Sequence, residues 1–372
     1  MPLGSTSKRP GRPSSPPADA APPSATPGAR TATPVSRWLD SPPSARDLPP
    51  LTGLRGYLTA CALLAVLLGP DLVKRIAVGA HLAGAPAWVT WPRHWPAAAI
   101  YGAVLTATAV WLLALEGRRA RRADPDGCRP VLPTAAAGGV GLLGVALCAL
   151  TGTGRGQTWA DIIGVVAVAG AGVWLCLGVA RDRGISAAQM GIAPPWAADR
   201  PGRIQAVTIA AISLSACVIG TKLLIPHQMS LPVPTMTTSQ ADLLGGTDLS
   251  FRVMGLAAGF REETVFVAAT AVMLTAAGRP LRELYAVSMT ARILWHAYIG
   301  VPALGVALFA VANLWLFTRT RRLTPLITVH LAYNALLDYW PQGLTYVLVL
   351  LILAALLLQA DARPAHRSGK TP

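Results

Sequence analysis

The sequence predicts an all-α, polytopic membrane helical bundle of about ten transmembrane helices with both termini in the cytosol, and three observations predict it. Hydrophobic residues make up 53% and charged residues only 13% of the 372 positions, with a mean hydropathy of +0.47. A soluble domain carries about 25% charge. The apolar residues gather in runs close to the ~20 residues that a spanning helix needs. The net charge of +15 falls in short clusters between those runs. That is the pattern that orients a membrane protein in the bilayer, and it excludes a nucleic-acid-binding surface as the reason for the charge.

Residues 1–50 hold 13 of the 32 prolines, with much Ser, Ala and Thr and no apolar periodicity. Such a segment cannot bury enough surface to offset its chain entropy and reads as a disordered, basic cytosolic tail. No apolar stretch follows its first basic residues, so it does not read as a signal peptide. The apolar runs then fall at about 54–73, 96–116, 131–151, 162–180, 205–225, 251–277, 284–301, 303–318, 324–340 and 343–360. Pro70, Asp71 and Lys74 are expected to cut the first run short. The stretch AVGAHLAGAPAWVTWP after it reads as interfacial, with tryptophans suited to the headgroup level.

Basic clusters at 118–124, 181–203, 279–282, 319–322 and the C-terminal tail alternate with loops nearly free of Lys and Arg. The positive-inside rule makes the first set cytosolic. The organisation that follows is a tail over 1–50, N-terminal transmembrane helices over 51–230, a functional core over 231–360 and a basic tail over 361–372. The five cysteines form no CxxC pair, and four sit in apolar runs as small fillers.

Ionisable groups concentrate in the last third of the chain. GFREETVF carries Arg261, Glu262 and Glu263 in one helix; Arg292 and His296 lie in the next; His330 and Asn334 follow in VHLAYNAL. A carboxylate at the centre of a membrane helix costs about 2.5–3.5 kcal/mol on insertion scales, so such groups face a bundle interior and mark function. Adjacent glutamates point about 100° apart on a helix and cannot serve one neighbour equally. His330 and Asn334, at i and i+4, project from one face. Each of these side chains taken alone also suits helix-packing glue. Together, two carboxylates, two imidazoles and a carboxamide suit hydrolysis, with a glutamate taking a proton from water and a His–Asn face meeting an oxyanion. His296, His330 and Glu262 are equally a donor set for zinc, although no HExxH is present.

These motifs resemble the CPBP (CaaX protease/bacteriocin-processing, Abi) family of intramembrane proteases, whose pattern is EExxxR, then FxxxH, then HxxxN. The resemblance covers about 245–340, and SAAQMGIAPPW (186–196) is similar to a loop that precedes the family core. It implies an endopeptidase acting on a membrane-associated protein or peptide. Glu262 and His296 would activate water, with Glu263 as the partner of Glu262. His330 and Asn334 would stabilise the oxyanion or hold a metal. The implied cofactor is either none or a divalent metal such as zinc, with Glu262, His296 and His330 as its candidate ligands.

The chain departs from the pattern twice, with Val267 at the arginine of EExxxR and Arg292 at the phenylalanine of FxxxH. Arg292 is therefore expected to reach Glu263 from the facing helix and stand in for the missing arginine. The alternatives are a catalytically inactive immunity or scaffold protein of the same fold, and an ion-coupled transporter. The Ala-, Gly-, Arg- and Pro-heavy composition points to a GC-rich bacterium and its plasma membrane.

Overall fold

The computed structural model describes residues 48–123, 131–150, 157–192, 200–228, 242, 244–245, 247–339, 347–348, 351–352 and 354. Among these residues the chain is all helical, with no strand. We label the helices α1 (Gly53–Leu82), α2 (Ala97–Ala123), α3 (Val131–Leu150), α4 (Gln157–Asp182) and α5 (Arg200–Gln228). They are followed by α6 (Asp248–Glu262), a π-helical segment (Glu263–Ala269), α7 (Thr270–Ala276), α8 (Leu281–Trp295), α9 (Val306–Thr320) and α10 (Thr324–Tyr339). Five helices in the described residues are long and apolar enough to cross a membrane: Gly53–Leu82, Ala97–Arg122, Leu132–Leu150, Thr158–Asp182 and Val301–Thr320. The N-terminal tail up to residue 47, most of the expected tenth run and residues 193–196 of the SAAQMGIAPPW loop lie outside the described residues.

The first helix is not cut short. It continues to Leu82, with Pro70 inside it. The polar side chains expected to end it are buried and compensated: Asp71 pairs with Arg75 one turn on and with Arg261 of α6. Arg261 also donates to the carbonyl of Leu67 near the proline. A charged residue is tolerated inside a membrane helix when a neighbouring helix supplies its partner, and here α6 does so. A single turn (Ala87–Thr90) and a 3₁₀ turn (Trp91–His94) follow, with Trp88 and Trp91 exposed as an interfacial segment requires.

The expected helix over 284–301 ends at Trp295 instead. Two 3₁₀ turns follow, hinged on Gly300 at φ 69°, a left-handed conformation that glycine adopts without strain. The second of these turns, Val301–Leu304, carries Pro302 in its first positions, and α9 begins at Val306 rather than near 303.

The glutamate-bearing stretch is the axis of the bundle. Every residue from Arg261 to Leu274 is buried, and its apolar members belong to the main hydrophobic cluster. Helices α4 and α10 pack on α6, α9 and α10 pack on α5, and α2 packs on α3 and α4. Gly259 lets α10 approach closely: a Cβ there would lie 3.0 Å from Leu331 Cγ and 3.2 Å from the Ile327 carbonyl oxygen. The same approach brings the His330–Asn334 face against the glutamates.

Candidate active site

The two glutamates stand where α6 passes into the π-helical segment. Thr270 Oγ1 donates to the Val265 carbonyl at 2.8 Å, five residues back, in keeping with the wider turn. Single π turns of this kind recur at functional sites because they re-aim side chains without ending the helix.

Glu263 is fully enclosed, and its carboxylate is saturated. Arg292 of α8 closes on Oε1, His330 Nδ1 of α10 lies 2.7 Å from the same oxygen, and Asn313 Nδ2 of α9 donates to Oε2 at 3.0 Å. Asn313 is held in turn by Ser213 of α5, whose hydroxyl donates to Oδ1 at 2.6 Å. Side chains from α8, α9 and α10 thus meet on one carboxylate, which suits a fixed electrostatic anchor. A buried carboxylate with this many charged and neutral donors is compensated; without them it would be among the costliest groups in the bundle.

Glu262 is bound differently. Trp295 Nε1 donates to Oε1 at 2.7 Å, while Oε2 has no hydrogen-bond partner among the described residues and lies 3.7 Å from Arg292 Nη2. Glu262 lines a cavity of about 200 Å³ together with His296, His330, Asn334, Arg75 and Tyr298. The apolar part of the lining includes Phe251, Met254, Val306 and Phe309. Of the two carboxylates, Glu262 is therefore the one with an uncommitted oxygen and a place on the cavity wall.

His296 caps α8 and does not continue it. Its Nδ1 lies 2.9 Å from the Arg292 carbonyl oxygen, and its ring stacks on Tyr298 with centroids 6.2 Å apart. That carbonyl accepts only from an N–H, so the contact places a proton on Nδ1 and leaves Nε2 as the free nitrogen. His330 is oriented by Glu263 and by an edge contact with Phe309 at 5.3 Å. Asn334 donates from Nδ2 to the Gly255 carbonyl oxygen at 2.7 Å, which fixes it beside the cavity. The structure thus brings Glu262, His296, His330 and Asn334 to one cavity and sets Glu263 behind them with Arg292.

The metal reading fits less well. Among the described residues, no three His, Cys, Asp or Glu side chains converge closely enough to hold an ion. The Nδ1 atoms of both histidines are turned to protein oxygens. The side chains are arranged for hydrogen bonding more than for ligation.

Four residues that sequence reasoning passed over belong to this centre. Trp295 holds Glu262, and Asn313 with Ser213 holds Glu263. Arg75 of α1 covers the Trp295 ring at 4.1 Å and donates to the Trp295 carbonyl at 3.3 Å. Arg261 covers the other reach of that ring at 4.7 Å. Asn313 is a carboxamide in an apolar run and carried the same signal as Asn334. Trp295 carried no signal, because an indole in a membrane helix is ordinary.

No curated protein and no solved structure matches the chain. Residues 248–336 match the family model described as type II CAAX prenyl endopeptidase Rce1-like, and this stretch holds Glu262, Glu263, Arg292, His296, His330 and Asn334. Five of the described helices are long and apolar enough to cross a membrane, and the stretch from α6 through most of α10 is similar to the Rce1-like family of type II CAAX prenyl endopeptidases.

Proposed function

We propose that this protein is an intramembrane endopeptidase of a bacterial plasma membrane that hydrolyses a peptide bond in a membrane-associated protein or peptide, with Glu262 as general base. The observation that carries this reading is the unequal treatment of the two glutamates. Glu263 has every oxygen committed, whereas Glu262, a residue of the cavity lining, keeps Oε2 without a hydrogen-bond partner among the described residues.

In this mechanism Glu262 Oε2 takes a proton from a water, and the hydroxide attacks the scissile carbonyl carbon. The His330 Nε2 edge and the Asn334 carboxamide meet the oxyanion. Glu263 accepts from His330 Nδ1 and so sets the ring's orientation. His296, with Nδ1 committed to the Arg292 carbonyl, receives on Nε2 the proton that Glu262 took from the water and hands it to the leaving nitrogen as the C–N bond breaks, which returns Glu262 to its carboxylate. The products are a carboxylic acid and an amine, and no metal enters any step. Arg292 works behind Glu263, as the neutralising charge that lets two adjacent carboxylates stay ionised in a buried place. The apolar part of the lining suits a hydrophobic residue beside the scissile bond.

The ion-coupled transporter reading gains nothing from the site, since the most buried carboxylate is locked by three donors and is not free to exchange its ion. The test is hydrolysis of membrane-anchored peptides by protein reconstituted in liposomes. Wild type should cleave, and Glu262→Gln, which can still accept from Trp295, should not.

A further inference from the structure

Hydrolysis needs a water at Glu262 even when a peptide fills the cavity that Glu262 lines. A second cavity, of about 30 Å³, lies beside the first, with Ala97, Tyr101, Asp161, Ser250, Phe251 and Met254 in its walls. Phe251 and Met254 also line the larger cavity, so a single layer of side chains divides the two. The Met254 sulfur is touched from both sides, by Tyr101 Oη at 3.7 Å and by Arg75 Nη2 at 3.4 Å. A methionine makes a soft partition, because its unbranched thioether changes rotamer at little cost.

The polar wall is unusual for its depth. Asp161 is 4% exposed, and Oδ1 has no hydrogen-bond partner among the described residues. The carboxylate accepts a backbone N–H from Ala98 at the start of α2 and has Lys74 as its opposing charge. Capping α2 explains one oxygen of Asp161 but not the other. A bare, buried carboxylate oxygen costs about 1–3 kcal/mol or more, and a water beside it removes that cost. A cavity of this size exceeds the roughly 10–15 Å³ that one water needs, and the Asp161 carboxylate with the Tyr101 hydroxyl supplies the two polar partners a buried water needs.

We propose that Asp161 and Tyr101 form a water site, and that this site feeds the hydrolytic water past Met254 to Glu262 while a peptide occupies the main cavity. The role as an inlet rests on the hydrolytic reading of Glu262; the water site itself does not. Helices α2, α4 and α6 each contribute residues from their first two turns, so the inlet opens at the end of the bundle where those three helices begin.

The experiment is hydroxyl-radical footprinting by X-ray radiolysis of the full-length protein in liposomes, read at Tyr101, alongside steady-state kinetics. Tyr101 should be modified readily in the wild type although it is nearly buried, whereas the fully buried Met273 should stay unmodified. Asp161→Leu, which fills the cavity with carbon, should lower Tyr101 modification and kcat severalfold with little change in KM. Asp161→Asn, which can still hold a water, should keep most of both. Tyr101 as unreactive as Met273 in the wild type would overturn the proposal without recourse to any variant. So would equal Tyr101 modification in wild type and a folded Asp161→Leu. Footprinting as expected in a protein that cleaves nothing would uphold the water site and refute the hydrolytic reading.

Discussion

Arg292 of α8 and Glu263 of the π-helical segment close on each other from facing helices, and neither side chain has any exposed surface. The pair supplies across a helix interface the cation that the family pattern supplies within one helix. Breaking a buried pair by removing one partner costs roughly 3–5 kcal/mol, because the remaining charge is left uncompensated. Arg292→Phe is therefore expected to lower Tm and abolish turnover. Adding Val267→Arg to that variant returns a cation to the helix that carries Glu263, and should recover part of both. Thermal unfolding in detergent and a cleavage assay check this; a Tm unchanged by Arg292→Phe would refute it.

That pairing was legible in the sequence, because an arginine in place of an aromatic and a valine in place of an arginine are complementary departures. The all-helical membrane architecture and the clustering of Glu262, His296, His330 and Asn334 were legible too, since each is a polar group where lipid penalises one. Less legible was how far each helix runs. Asp71 in the first run read as an endpoint, because its compensating partner, Arg261, lies 190 residues away on α6. The run expected over 284–301 placed His296 inside a helix, but α8 ends at Trp295 and His296 turns back to cap it. Such features depend on contacts between helices, which a local pattern does not encode.

Trp295 holds Glu262 through its indole N–H and holds α1 through its ring. Trp295→Phe removes the first and keeps an aromatic surface under Arg75. A hydrogen bond to a charged group is worth about 1.5–3 kcal/mol, and a loss of that order is expected in the activation free energy, carried by kcat. Steady-state kinetics on the reconstituted protein measure it; an unchanged kcat would show that the indole does not position Glu262.

Asn313 offers a comparison of charge against shape. Asn313→Ala leaves Glu263 Oε2 without its donor and should cost about 1–3 kcal/mol of stability. Asn313→Asp has the same shape but sets a second carboxylate against Glu263, where the asparagine nitrogen now lies at 3.0 Å. The aspartate variant should be the less stable of the two at neutral pH and should regain stability as the pH falls. Unfolding midpoints of both variants at several pH values test the order.

With no convergent trio of metal donors among the described residues, turnover should survive prolonged treatment with a strong chelator. Loss of activity that returns on adding zinc would contradict the mechanism drawn from Glu262.

The most direct test compares the newly formed peptide termini in membranes carrying either the wild type or Glu262→Gln, at matched expression and with matched unfolding temperatures. The glutamine keeps the Trp295 hydrogen bond and the fold but cannot take a proton from water. The account predicts a set of membrane-protein termini present with wild type and absent with Glu262→Gln. The same termini in both samples would contradict it.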